Sequence, residues 1–385
     1  MNKTSKYNFI SLILPLVIFF TNLSQIPNFV DSLFFKLMSY IPWVIMFLVV
    51  LYTNNFKFII NNKKNILLLV IGIILICFLI EIIGLEGFRV SLLKPILICF
   101  FVYTIGFNCC TQLKDDKIQY ICLAYALSAV IICFFVFQKI VQSGVVLNSS
   151  VYAYESKNSV SQILLTGFLI FVFYRKKINI FTLFFDIASI FLLFTMIMLK
   201  SRASLLGIGV IVISVLLSDK YKRNTKKLVT LLCVFFICLF LFNKNLQNFI
   251  INDIIFASRD TANLDAISSG RLSMIQNFPS LFLEQPFLGH GSNYIEIMQL
   301  DAVLETGIFG GVLINILALL PLIYSIKSIK KYNTDYNFVL LILSVIYYIN
   351  SFFEQLSPFG PGVKCYFLWL VYGLCIGWNE RGKIN

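Results

Sequence analysis

The sequence predicts an all-α polytopic membrane protein of about 12 transmembrane helices, with one long helical extracytoplasmic loop between spans 9 and 10. Three observations carry that prediction. Of 385 residues, 59% are hydrophobic and only 13% charged, at a mean hydropathy of +0.88. Runs of about 18 or more apolar residues read as membrane spans. They recur here at 8–24, 37–53, 66–83, 91–110, 119–141, 159–174, 179–199, 203–218, 228–243, 301–326, 336–353 and 364–378. The third observation is where the charge falls. Of 31 Lys and Arg, 20 lie in the tails and even-numbered loops, so the positive-inside rule places both termini in the cytoplasm and loop 244–300 outside. The net charge of +13 is thus an insertion signal and a contact for anionic inner-leaflet lipid, not a nucleic-acid surface.

In order, span 1 follows Lys3 and Lys6 like a signal peptide. Residues 21–29 (TNLSQIPNF) offer no small-x-small cleavage site, so a retained helix is expected. At the outer end of span 4, Lys94 precedes Pro95, with Glu81, Glu86 and Arg89 near in sequence. They read either as snorkelling interfacial charges or as the rim of an outward site. Loop 142–158 holds Asn148, Tyr152 and Tyr154, suited to sugar stacking and equally to interfacial anchoring. Asp186 in span 7 is an ionisable group at membrane depth: a functional candidate, or a helix-to-helix hydrogen bond.

Span 8 opens with Lys200-Ser201-Arg202-Ala203-Ser204. Two outward cations run against the charge trend, and either hold an anionic group or snorkel. The small residues Ala203, Ser204, Gly207 and Gly209 admit another helix, which would put Arg202 at a helix junction. Ten cysteines are present, none in the long loop, with no disulfide framework and no CxxC metal pattern.

Three sections follow: 1–243 with spans 1–9, the loop subdomain 244–300, and 301–385 with spans 10–12, all one integrated membrane domain. The loop holds Lys244, Arg259 and Arg271 against Asp253, Asp260, Asp265, Glu284 and Glu296, three positive against five negative. Any anion bound there needs particular arginines. Ser268 or Ser269 is expected to cap a helix with apolar Leu272, Ile275 and Phe278. Arg271 in its first turn opposes the helix dipole, unless an anion binds there. Pro279 is expected to start a new turn and Pro286 to end it. Gly289-His290-Gly291 then reads as a tight turn needing positive φ. His290, the single histidine, is a general base, a phosphate donor or a loop stabiliser. Asp301 and Glu305, one turn apart, either accept a sugar hydroxyl's proton or cap the helix. Gly307 and Gly311 read as close-packing glycines.

Four motifs in this order resemble the O-antigen ligase and Wzy-type polysaccharide polymerase superfamily. They are Ser201-Arg202-Ala203, Ser269-Gly270-Arg271, Gln285-Pro286-Phe287-Leu288-Gly289-His290-Gly291, and Glu305-Thr306-Gly307-Ile308-Phe309-Gly310, over about residues 200–320. The resemblance implies a bacterial inner-membrane glycosyltransferase acting at the outer face on undecaprenyl-pyrophosphate-linked oligosaccharides. It implies no cofactor, neither nucleotide sugar nor metal, and a chain-length regulator protein as a further partner. The ligases carry a His-Asn-x-Tyr-Leu-like element before the Glu-x-Gly span. Here Asp301 stands where that histidine is expected, which favours a repeat-unit polymerase that releases undecaprenyl pyrophosphate. Arg202, Arg271, Arg259 and Lys200 would hold the pyrophosphate, arginine gripping phosphate oxygens in pairs. Asp301, Glu305 or His290 would take the acceptor's proton. The rivals are a ligase for another acceptor, a lipid-linked oligosaccharide flippase, and a cell-wall glycosyltransferase of similar topology. A flippase wants ionisable residues lining a central cavity, the reverse of this distribution.

Overall fold

The computed structural model describes residues 3–27, 32–54, 64–82, 91–110, 112–144, 157–174, 182–219, 221, 223–256, 264–291, 295–360 and 362–381. Glu86, Arg89, Asn148, Tyr152, Tyr154 and Arg259 lie outside the described residues. Among the described residues every regular element is helical. The helices are α1 Lys3–Leu23, α2 Leu33–Met38, α3 Ile41–Thr53, α4 Lys64–Ile82, α5 Leu93–Cys109 and α6 Ile118–Ser143. There follow α7 Lys157–Tyr174, α8 Thr182–Met198, α9 Arg202–Leu217, α10 Arg223–Phe242 and α11 Lys244–Asn248. The chain ends with α12 Leu264–Ser268, α13 Arg271–Glu284, α14 Met298–Tyr332, α15 Asp335–Asn350 and α16 Tyr366–Arg381.

Each predicted apolar stretch coincides with a helix, and the chain is a helical membrane protein. Fewer than twelve helices reach membrane thickness by length and composition alone. Among the described residues these are Leu33–Thr53, Asp115–Ser143, Lys157–Tyr174 and Met298–Tyr332. A fifth would be Val229–Phe242 with Lys244–Ile255, a pair bent by 97°. The bend sits where Asn243 leaves helical geometry and its side chain accepts from Leu246 N at 3.1 Å, starting a new helix in a new direction. The shorter apolar helices run 10–17 residues, below the roughly 20 that a 30 Å core requires.

The chain divides into two compact units. The first is Met1–Ala129 with Ser273–Asn385. Its centre is α5 against α16, where backbones touch: a Cβ on Gly106 would fall 2.6 Å from Leu370 O, and one on Gly373 would strike Tyr103 O. Aromatic contacts lock α16 to the preceding connection, with Phe359 stacked on Trp369 at 5.4 Å and Trp369 Nε1 donating to Pro358 O at 2.9 Å.

The second unit is Val130–Leu272, with α7 its most buried helix. Gly207 on α9 packs onto Leu165 of α7, as a close-packing glycine should. Gly209 does not: a Cβ there would meet nothing within 4 Å. Pro279 also departs from expectation, lying inside α13 rather than starting a turn. A helical proline removes one backbone bond and need not end the helix.

Candidate functional site

In the second unit, the site is built around the junction of α8 and α9 and the turn between α12 and α13. After α8, Lys200 takes a left-handed φ of 52° and Ser201 becomes the N-cap of α9. Lys200 is buried, so it does not snorkel. Arg202 is thereby the first residue of α9. Its guanidinium donates to Ile267 O at 2.6 Å and to Ser269 Oγ. These contacts place Arg202 at a helix junction.

The acceptor turn is shaped by two left-handed residues, Ser269 (φ 66°) and Gly270 (φ 80°). Gly270 N donates back to Asp265 O at 2.8 Å, closing the end of α12 in the 6→1 manner of a Schellman motif. Ser268, not Ser269, caps α13: its hydroxyl accepts from Leu272 N at 3.0 Å. Arg271 then folds back to donate to Ser268 O at 3.1 Å. Two guanidinium groups from different helices so converge on three consecutive residues, 267–269. The acceptors are carbonyl and hydroxyl oxygens, which orient a guanidinium without neutralising it. Ser269 holds a backbone conformation that costs a non-glycine residue about 1 kcal/mol, against which its bond to Arg202 counts.

The first unit holds the other predicted residues. Helix α14 is broken at Gly307, whose φ of 68° and ψ of −178° are not helical. Into that break docks the turn 286–291. His290 N donates to Leu304 O at 2.6 Å, Gly291 N to Glu305 O at 3.1 Å, and Ile308 N to Pro286 O at 2.9 Å. Carbonyls freed by the break are thus satisfied by the turn. The approach is so close that a Cβ on Gly289 (φ 78°) would lie 2.6 Å from Glu305 O, and one on Gly307 would overlap Phe287 O. Gly307 is therefore a break point, correcting its reading as a helix-packing glycine. Phe287 and Phe309 stack across the same junction at 6.1 Å.

His290 Nε2 lies 2.6 Å from Leu281 O. A carbonyl only accepts, so Nε2 carries the proton and Nδ1 presents its lone pair in the neutral ring. Asp301 and Glu305 have 0% exposure. Asp301 accepts from Ile295 N and from Gln355 Nε2, both at 3.0 Å. Glu305 accepts from Ser91 Oγ, and from Ser91 N and Leu92 N at 3.3 Å each, at the start of α5. It tethers a helix N-terminus, where a carboxylate is favoured by unbonded N–H groups and the dipole.

Ser91 and Gln355, which hold these carboxylates, carry no motif and were not singled out from the sequence. Neither was the buried pair of Lys364 Nζ and Glu354, 3.4 Å apart in the connection before α16. Asp186 is half-buried in the second turn of α8. Among the described residues no group of three or more His, Cys, Asp or Glu could hold a metal ion.

Residues 187–311 match the family model described as O-Antigen ligase. The matched stretch contains the Arg202 junction, the 267–271 turn, the docked 286–291 turn and the Gly307 break. No curated protein matches the chain. The family match supports a membrane glycosyltransferase of the kind that polymerises or ligates lipid-linked glycans.

Proposed function

We propose that the protein is a repeat-unit polymerase. It joins undecaprenyl-pyrophosphate-linked oligosaccharides at the outer face of the bacterial cytoplasmic membrane. A hydroxyl oxygen of one lipid-linked unit forms the new bond to the anomeric carbon of another. The bond from that carbon to the diphosphate breaks, the carrier diphosphate leaves with the electron pair, and the hydroxyl proton passes to a protein base. No metal or nucleotide sugar is required for that balance. In this reading the twelve apolar helices are twelve crossings with cytoplasmic termini. The three sections 1–243, 244–300 and 301–385 act as one membrane domain, and a chain-length regulator is a further partner.

The observation that carries the reading is the convergence of Arg202 and Arg271 on residues 267–269. Guanidinium groups held by neutral acceptors suit a leaving diphosphate whose charge grows in the transition state. Lys200 and Arg259 are second-rank candidates for the same anion. For the proton, His290 is the best supported base, since Leu281 O fixes its tautomer and it is only half-buried. Asp301 and Glu305, with no exposed surface, are better suited to hold the turn that carries His290.

The test is a purified protein given a lipid-pyrophosphate repeat unit, with the product ladder read on a gel. Arg202→Lys and Arg271→Lys should each slow ladder growth on the order of 10²-fold with expression retained. An unchanged ladder in both would remove the proposal. The family description favours a second reading, ligation of finished glycan to another acceptor. Deleting the gene would then leave polymer of normal length but unattached.

A further inference from the structure

The first unit carries a feature that the transfer reaction does not use. A cavity of about 380 Å³ lies among α1, α2 and α3, lined only by apolar side chains, among them Leu16, Phe20, Phe34, Leu37, Ile41 and Ile45. A second cavity, of about 620 Å³, is lined by Tyr40, Leu93, Lys94, Leu97 and Ile98. The two flank consecutive residues: Tyr40 lines one and Ile41 the other. Lys94 Nζ sits 5.7 Å from the Tyr40 ring centroid, at the first turn of α5. Lys36 is exposed on α2, between Phe34 and Leu37 of the first cavity. In the proposed topology both lysines face outward, against the positive-inside trend, so insertion does not account for them.

Two apolar grooves meeting at one tyrosine, with a cation on each side, have the layout of a two-chained amphiphile bearing a negative head. We infer that this corner binds one anionic diacyl phospholipid. One acyl chain lies along α1 and α3, the other along Leu93 and Leu97, and the phosphate is met by Lys94 and Lys36. A chain-lined groove alone would take any bilayer lipid; the lysines are what would select charge. A single-chained polyprenyl carrier would fill one groove and leave the other empty, which is why the diacyl lipid is favoured.

The experiment is native mass spectrometry of the full chain released from nanodiscs of mixed phosphatidylglycerol and phosphatidylcholine. The unaltered protein should retain one phosphatidylglycerol in clear preference to phosphatidylcholine. Each lysine near the headgroup contributes about a fivefold preference, so K36Q/K94Q together should lower it about thirtyfold. Both side chains are exposed, so the variant should fold, and an unchanged melting temperature in phosphatidylcholine alone checks this. Equal retention of the two lipids by the unaltered protein would overturn the inference. So would an undiminished preference in K36Q/K94Q, or displacement of phosphatidylglycerol by equimolar undecaprenyl phosphate. The ladder assay reports separately on Arg202 and Arg271, so either idea can fail alone.

Discussion

The turn at 267–271 and the turn at 286–291 are built from similar residues and held in opposite ways. Each contains two residues in the left-handed region, Ser269 and Gly270 in one, Gly289 and Gly291 in the other. The first is stitched by side chains: Arg202, Ser268 and Arg271 all reach its backbone or hydroxyls. The second is stitched by backbone, with three main-chain bonds into the break at Gly307. Side-chain stitching leaves guanidinium groups partly exposed and able to exchange an internal acceptor for a ligand oxygen. Backbone stitching fixes a position and leaves nothing to exchange. The former suits binding, and the latter suits holding one residue, His290, in a set place.

Breaking the backbone-held turn should have the largest effect. Gly307→Ala puts a Cβ onto Phe287 O at a left-handed φ, and two such faults together should cost more than about 3 kcal/mol. The expected result is loss of folded protein by detergent size exclusion, with Gly270→Ala far milder because nothing lies within 4 Å of its Cβ position. Equal damage from both would erase the distinction between the turns.

His290→Asn should keep the fold and slow the ladder by about 10²–10⁴-fold, the usual contribution of a positioned base. A normal rate would assign His290 to structure alone. Glu305→Gln sharpens the contrast from the other side. As a tether for Ser91 and Leu92 it should lose about 1.5–3 kcal/mol of stability, read as a lowered melting temperature, with turnover per folded molecule retained. Abolished turnover at unchanged melting temperature would instead make Glu305 the base. Smallest is Ser268→Ala, expected to cost about 1 kcal/mol through the lost cap of α13.

Local chemistry was legible in the chain. Apolar runs located the helices, because a backbone in lipid must bond within itself. Ser268, Ser269 and Gly270 announced a cap, and Gly289 and Gly291 a left-handed turn, because those conformations depend on the residue and its near neighbours. Arg202 and Arg271 stood out as outward cations needing a use. The break at Gly307 was hidden, since a glycine in an apolar helix looks the same whether it packs or kinks. Also hidden were the partners of the carboxylates: Glu305 binds Ser91 and Leu92 more than 200 positions away, and Asp301 meets Gln355 across 54. Serine and glutamine have no periodicity to betray such a pairing. The sequence alone determined which segments are helical and which turns need glycine. Only the tertiary structure decided which oxygen meets which N–H, because a hydrogen bond acts over about 3 Å in space and leaves no trace along the chain.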